Sequence, residues 1–322
     1  MMVNDAAREA RGRRGFVLVS VLWILAILTV VSLGFANRAS LERKVAWYAL
    51  DQAQAQNMAR GAVELALVEL GNKGVVDSYF AQAGYTGLDQ RWAVLTDLFQ
   101  GGKYFKEFSS EENTEDLCVY LITDCLSKVS INASSEDMLR EVPGIGSRNV
   151  NRILRRRRRN VPEEELVQNF ATIDEFRTEA KVDDRDWFGR GDKPGLRDLI
   201  TAWGNGRINI NTASGEVLSF VPELEGSVAD AIVGYRRGND GELGTADDLA
   251  IKNIHELPEL LGISAEKVGQ LRQHCTTQSI FFTIEAMATR RRGKIRAYCS
   301  VVVLLSGARP RILYWREGSL ES

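Results

Sequence analysis

The sequence predicts an α+β protein. A long amino-terminal helix crosses a membrane and continues into a sheet domain, and the sheet is interrupted by a large all-α domain made of two related units. Three observations predict this architecture. No charged residue occurs between Arg14 and Arg38. A helical pattern starting at Ser130 recurs from Asn209 at a constant offset of 79 residues. Strand-like stretches lie on both sides of that repeat, before Ile131 and after Gln278. The bulk composition is ordinary: 322 residues, 44% hydrophobic and 26% charged, enough for two or three cores. A formal net charge of −2 argues against a whole-protein nucleic-acid binder. With only His255 and His274 and no Cys-x-x-Cys pair, neither a zinc site nor a histidine-based triad is supported.

The opening element is RRGFVLVSVLWILAILTVVSLGF, Arg13 to Phe35. A helix from Phe16 to Phe35 rises roughly 30 Å, the thickness of a hydrocarbon core. Arg8, Arg11, Arg13 and Arg14 precede it, so the amino terminus stays cytoplasmic and the rest crosses outward. A secretory signal peptide has a shorter apolar core followed by a small-residue cleavage site, whereas SLGFANRAS runs on as helix. The junction Gly15-Phe16, after two arginines and before the apolar run, resembles a type IV prepilin leader. That resemblance implies cleavage between Gly15 and Phe16, with the helix retained as an anchor. Leu41 to Leu70 extends the helix: Val45, Ala49, Gln52, Gln56, Ala59, Val63, Ala66 and Leu70 follow helical spacing, the second half as a core-facing stripe. Gly71-Asn72-Lys73-Gly74 stops it. Pilins and most pseudopilins carry a glutamate five residues into the mature chain, where this sequence has Ser20. A buried carboxylate is costly without a partner, so its absence points to a subunit with no predecessor in a filament.

The repeat pairs Ile131 with Ile210, Asn132 with Asn211, Leu139 with Leu218, Val142 with Val221, Pro143 with Pro222, Ile153 with Ile232 and Arg157 with Arg236. Each unit reads as a capped start, a short helix, a turn at the proline and a second helix. ATIDEFR (Ala171–Arg177) and KNIHELP (Lys252–Pro258) add further short helices. The units resemble helix-hairpin-helix and SAM-like motifs, in which a Gly-x-Gly turn offers backbone N–H groups to a phosphate. Gly144-Ile145-Gly146 keeps that turn, whereas Glu223-Leu224-Glu225 replaces it with two carboxylates that would repel a phosphate. The run Arg155 to Arg159 cannot share one helix face. With Glu163-Glu164-Glu165 close behind, it reads first as a solvated charge cluster, then as a surface for an acidic partner, and last as a nucleic-acid contact.

Between the second unit's helices and its end lies RRGNDGELGTADDLA, Arg236 to Ala250. Asn239, Asp240, Glu242, Asp247 and Asp248 crowd oxygen donors into ten positions, and Gly241 and Gly244 permit tight turns. Hard cations take six to eight oxygens, so the loop is expected to hold structural calcium through Asp240, Glu242, Asp247, Asp248 and the Thr245 carbonyl. The spacing is not that of an EF-hand, and a plain solvated turn is the competing reading.

LCVYLITDCLSKVSI (Leu117–Ile131) predicts two short strands with a turn near Asp124 to Ser127. Gln278–Thr289, Lys294–Gly307 and Arg311–Gly318 predict a closing meander with Phe282, Ile284, Tyr298, Val302 and Tyr314 in its core. Cys118, Cys125, Cys275 and Cys299 would face an oxidising compartment; three full pairings are open, and Cys118 with Cys125 is a candidate across a hairpin.

In this order along the chain, these features resemble the K-type minor pseudopilins of bacterial type II secretion systems. The resemblance implies a cleaved leader at residues 1–15, a transmembrane helix at 16–36 and a first pilin-like part at 37–131. A helical insertion at 132–276 and a pilin-like β meander at 277–322 complete it. It also implies N-methylation of Phe16 by prepilin peptidase and a non-enzymatic place at the tip of a periplasmic pseudopilus. There the chain would cap the I-type and J-type minor pseudopilins, above the major pseudopilin and the inner-membrane secretion platform. The alternative from the same residues is a membrane-anchored, helix-hairpin-helix DNA-uptake protein.

Overall fold

The computed structural model describes residues 3–71, 84–90, 92–93, 98–100, 103–107, 116–159, 170–191, 193–245, 247–306 and 310–320. Helix α1 runs from Val3 to Gly71. The chain divides into two compact units, residues 1–54 and 55–322. In the first, the apolar side chains from Val17 to Phe35 are between 47% and 70% exposed all around the helix. Val17–Leu70 contains a stretch long and apolar enough to cross a membrane.

In the second unit, α1 lays Ala59, Ala62, Val63, Ala66 and Leu70 on a sheet, all of them buried. Of the helical stripe read from the sequence, Gln56 stays half-buried, and the stripe turns inward only at its carboxy-terminal end. The sheet has six strands in the order β1-β2-β3-β10-β11-β12. These are Leu98–Gln100 (β1), Lys103–Glu107 (β2), Leu117–Asp124 (β3), Phe281–Arg290 (β10), Ile295–Leu304 (β11) and Arg311–Leu320 (β12). Every neighbouring pair is antiparallel. β1 and β2 had no counterpart in the sequence reading. The face toward α1 carries Cys118, Ile122, Phe282, Ile284, Ala286, Ala288, Cys299, Val301 and Val303. The period-2 alternation of β10 and β11 produces it, and alanines on both sides let helix and sheet approach closely.

β3 and β10 are neighbours, with Phe282 opposite Asp124 and Thr289 opposite Leu117. Everything between them leaves the sheet and returns to it. After a 3-10 turn at Cys125–Ser127 the chain forms β4 (Val129–Ser130), α2 (Glu136–Glu141), α3 (Gly146–Arg159), α4 (Ile173–Ala180) and α5 (Asp184–Phe188). A small hairpin follows, β5 (Gly189–Arg190) with β6 (Lys193–Pro194), then α6 (Leu196–Leu199) and β7 (Ile200–Thr201). The second unit is β8 (Ile208–Asn209), α7 (Gly215–Ser219), α8 (Gly226–Arg236), a 3-10 turn at Ile254–Glu256, α9 (Leu257–Leu261), α10 (Ala265–His274) and β9 (Cys275–Thr276). Each unit is closed by a two-stranded parallel ladder, β4 on β7 and β8 on β9. One continuous hydrophobic core runs through both, from Val129 to Cys275.

Three expectations need correction here. β3 and β4 are not a hairpin: β3 pairs with β2 and β10, while β4 pairs with β7. Cys118 lies near the start of β3 and Cys125 just beyond its end, roughly 23 Å apart at strand rise. No disulfide joins them, and all four cysteines are free and buried. Phe282, Ile284 and Val302 are buried as expected, but Tyr298 and Tyr314 are only half-buried, because they face away from α1 into an open cleft.

Candidate functional site

The stem comes first in the chain. Gly15 and Phe16 both lie within α1. The Ser20 hydroxyl donates to the Val17 carbonyl at 3.0 Å. A serine thus satisfies its own polar atom inside the helix, which an acidic side chain in lipid does not.

In the insertion, the duplication extends to individual hydrogen bonds. Ser135 caps α2 by accepting from Met138 N, and Ser214 caps α7 by accepting from Val217 N. Asn132 Nδ2 donates to the carbonyls of Phe170 and Ala202 and its Oδ1 accepts from Phe170 N; Asn211 brackets Ile251 N and O in the same way. Arg157 donates to the carbonyls of Ile131 and Ser134, and Arg236 to those of Ile210 and Ala213. Burial pulls both guanidinium groups down to about 10. These residues hold each unit's first turn to its second long helix.

The arginine run therefore differs from the solvated cluster read from the sequence. Arg157 is packed onto backbone carbonyls. Arg156 pairs with Glu175 and Glu179 and lies 4.1 Å over the Phe170 ring. Arg155 donates to Asn151 O and stays exposed. Glu163 to Glu165 lie outside the described residues.

The two hairpins share the first turn position but neither the second nor the chemistry: Gly146 has φ 68°, whereas its counterpart Glu225 is extended at φ −64°. Gly144 has φ 85° and its counterpart Glu223 has φ 63°. The left-handed turn survives in the second unit with a residue that enters it at a cost of about 1–2 kcal/mol. There Glu225 pairs with Lys267 at 2.5 Å. This hairpin presents carboxylates where an anion site needs free N–H groups.

The acidic loop folds around Asp247. Its Oδ2 accepts from the amides of Asn239 (2.8 Å) and Asp240 (3.1 Å), and its Oδ1 accepts from the Thr245 hydroxyl at 2.8 Å. The Thr245 hydroxyl and these amides hold the Asp247 carboxyl down at about 2. Asp240 Oδ1 accepts from Glu242 N, Asp248 Oδ2 from Gly244 N, and the Thr245 carbonyl from Asp248 N. Asp248 is buried, and the lost hydration raises its carboxyl. At Gly238 (φ 59°) a Cβ would sit 2.3 Å from Asp247 O, so glycine is required for the loop to close. The structure brings four of the five expected ligands, Asp240, Thr245, Asp247 and Asp248, into one hydrogen-bonded turn, with Glu242 joined through its amide. The donor set is all oxygen, as a hard cation asks, and an ionised carboxylate bonded to an amide keeps further lone pairs. Among the described residues, no three His, Cys, Asp or Glu side chains form a group placed to hold a metal ion.

A junction that the sequence did not reveal joins the insertion to the sheet. Asp124, buried at the end of β3, accepts from Leu126 N (2.8 Å), Asn209 Nδ2 (2.9 Å), the Thr212 hydroxyl (2.6 Å) and the Ser279 hydroxyl (2.6 Å). Asn209 Nδ2 also reaches Thr86 O and Ser279 Oγ. Burial pushes the Asp124 carboxyl up against the pull of these donors. Asn209 opens the second copy of the repeat, immediately before Ile210, but no local pattern linked it to Asp124. Beside the junction a cleft of ≈ 900 Å³ opens between the insertion and the sheet, lined among others by Trp187, Phe188, Trp203, Tyr298, Tyr314 and Arg316.

These features define a class: an α+β protein with an amino-terminal helix long and apolar enough to cross a membrane, whose antiparallel sheet is split by a duplicated helical insertion. Residues 204–276, the second unit, match the helix-hairpin-helix motif family. No curated protein matches the chain in sequence. Among solved structures, the chain is similar to one from the GspK-GspI-GspJ complex of the enterotoxigenic Escherichia coli Type 2 Secretion System. The identity is 15%, with 87% of this chain and 99% of that chain covered and a TM-score of 0.44.

Proposed function

We propose that this chain is a K-type minor pseudopilin, a non-enzymatic subunit at the tip of a type II secretion pseudopilus that nucleates or caps the filament. One observation carries the reading: the order of parts along a single chain. A basic segment ends at Gly15-Phe16, an unbroken apolar helix follows, the same helix packs its far end on a sheet, and a duplicated helical insertion splits that sheet. On this reading the leader is removed at the cytoplasmic face of a bacterial inner membrane by prepilin peptidase, and the rest of the chain is periplasmic. The exposed apolar stem then packs sideways against the stems of the I-type and J-type minor pseudopilins and the major pseudopilin, delivered by the inner-membrane platform. Ala26, Ala36 and Ala39 allow close helix approach there. Ser20, hydrogen-bonded within its own helix, needs no charged neighbour, as suits a subunit with no predecessor. Mass spectrometry of the protein from its native membranes tests this: N-methylated Phe16 is expected as the first residue, and an intact Met1 start overturns it.

Structural calcium in the acidic loop is part of the proposal. Asp240, Glu242, Asp247, Asp248 and the Thr245 carbonyl would hold it, and the ion would fix the loop rather than take part in any reaction.

The helix-hairpin-helix match favours a second reading, membrane-anchored DNA uptake. Against it, the matched unit carries Glu223 and Glu225 at its hairpin, and Arg156 and Arg157 of the first unit are engaged internally. Salt-dependent binding of duplex DNA would support that reading; no binding at low salt removes it.

A further inference from the structure

A second hollow, of ≈ 270 Å³, lies on the second helical unit away from the hairpin sequence and the acidic loop sequence. Three separate elements bring basic side chains to it: Arg207 just before β8, His255 in the 3-10 turn and Arg272 in the last turn of α10. No carboxylate lines it, and its remaining polar lining includes Asn253, Thr276 and Gln278. All three basic residues are exposed, and among the described residues neither Arg207 nor Arg272 has an ion-pair partner.

The floor is held in shape independently of these side chains. Thr276 O accepts from Ile210 N, the Thr276 hydroxyl accepts from Gln278 N, and Gln278 Nε2 donates to Gly84 O. Asn253 Oδ1 accepts from His255 N and fixes the turn that presents the imidazole. Arg207 and Arg272 bring two guanidinium groups to one hollow without a counter-charge, and an oxyanion placed there is attracted by both. Guanidinium forks match the two oxygens of a carboxylate.

We infer that this hollow receives the carboxylate of an acidic segment on a protein partner. Two observations favour a peptide carboxylate over a polyanion. Ile254 and Cys275 add apolar lining on which the methylenes of a glutamate can rest. The same unit carries Glu223 and Glu225 at its hairpin, and the whole chain is net negative, so a phosphate backbone gains little here. The inference does not depend on the assembly reading, since any partner in the same compartment could supply the acid.

The test uses the full chain in neutral detergent micelles and a fluorescent, amino-acetylated hexaglutamate peptide, with hexaglutamine as the contrast. The glutamate peptide is expected to bind at least ~10-fold more tightly at low salt, a difference of about 1.4 kcal/mol. The double variant Arg207→Gln with Arg272→Gln is expected to lose that advantage while its melting curve stays unchanged. Equal binding of the two peptides to the unmodified chain would overturn the inference without recourse to any variant. So would a folded double variant that binds hexaglutamate undiminished. Displacement of the peptide by inorganic phosphate at equal concentration would also overturn it, showing a general oxyanion hollow instead.

Discussion

Arg157 and Arg236 occupy matching places in the two units, Arg157 donating to three carbonyls and Arg236 to two, each at the start of its unit. Replacing either by alanine orphans those carbonyls in a dry setting and is expected to cost about 2–3 kcal/mol. Arg155→Ala, which removes an exposed contact within one helix, should change stability by less than about 0.5 kcal/mol. Denaturant midpoints of the three variants check the contrast; equal losses would mean that the run acts as a whole. The four cysteines make a second residue-scale case. Burial pushes Cys118, Cys125 and Cys275 up to about 12 and Cys299 up to about 11, so none is a thiolate near neutrality. A thiol reagent should find no fast-reacting cysteine in the native chain at pH 8 and all four after denaturation. The Arg157/Arg236 pair was visible in the sequence as a repeat match, but its role was not. An arginine on a carbonyl cluster and an arginine in water are identical on paper until the first turn of the unit is folded beneath the helix.

At the scale of elements, α1 and β12 are tied by Arg60 and Glu317, whose atoms approach to 2.6 Å. The guanidinium hydrogen bond lowers the Glu317 carboxyl from its ordinary 4.5 to about 2. The stabilisation is therefore complete above about pH 4.5 and is lost as pH falls through about 2. Glu317→Gln should flatten the acid side of the stability profile between those values; a slope matching the parent would exclude the tie. The acidic loop tests the calcium proposal. A chelator should lower the melting temperature of the parent, and Asp247→Ala with Asp248→Ala should abolish the difference between chelated and calcium-loaded protein. An unchanged parent melt ends the proposal. α1, α3, α8 and the three long strands β10, β11 and β12 were readable because their signals are periodic over ten residues or more. β1 and β2 were not: each is short, β2 forms on the edge that β3 offers, and β1 pairs in turn with β2.

For the molecule as a whole, Asp124 decides how the insertion is joined to the sheet. Its partners Thr212 and Ser279 lie 88 and 155 residues away. Asp124→Ala leaves several buried donors without an acceptor and is expected to cost about 3 kcal/mol or more. Hydrogen exchange should quicken at both ladders that meet there, β8 with β9 and the adjoining ends of β3 and β10. Faster exchange confined to β3 would mean that the carboxylate serves only its own strand. By itself the sequence determined the apolar stem, the duplication and the split sheet, because each is written in local periodicity or in a pattern that recurs along the chain. Tertiary structure alone decided which arginines are buried, that the cysteines stay apart, and how insertion and sheet are fastened. Those outcomes depend on side chains far apart in the chain, whose hydrogen bonds form only once water has been excluded between them.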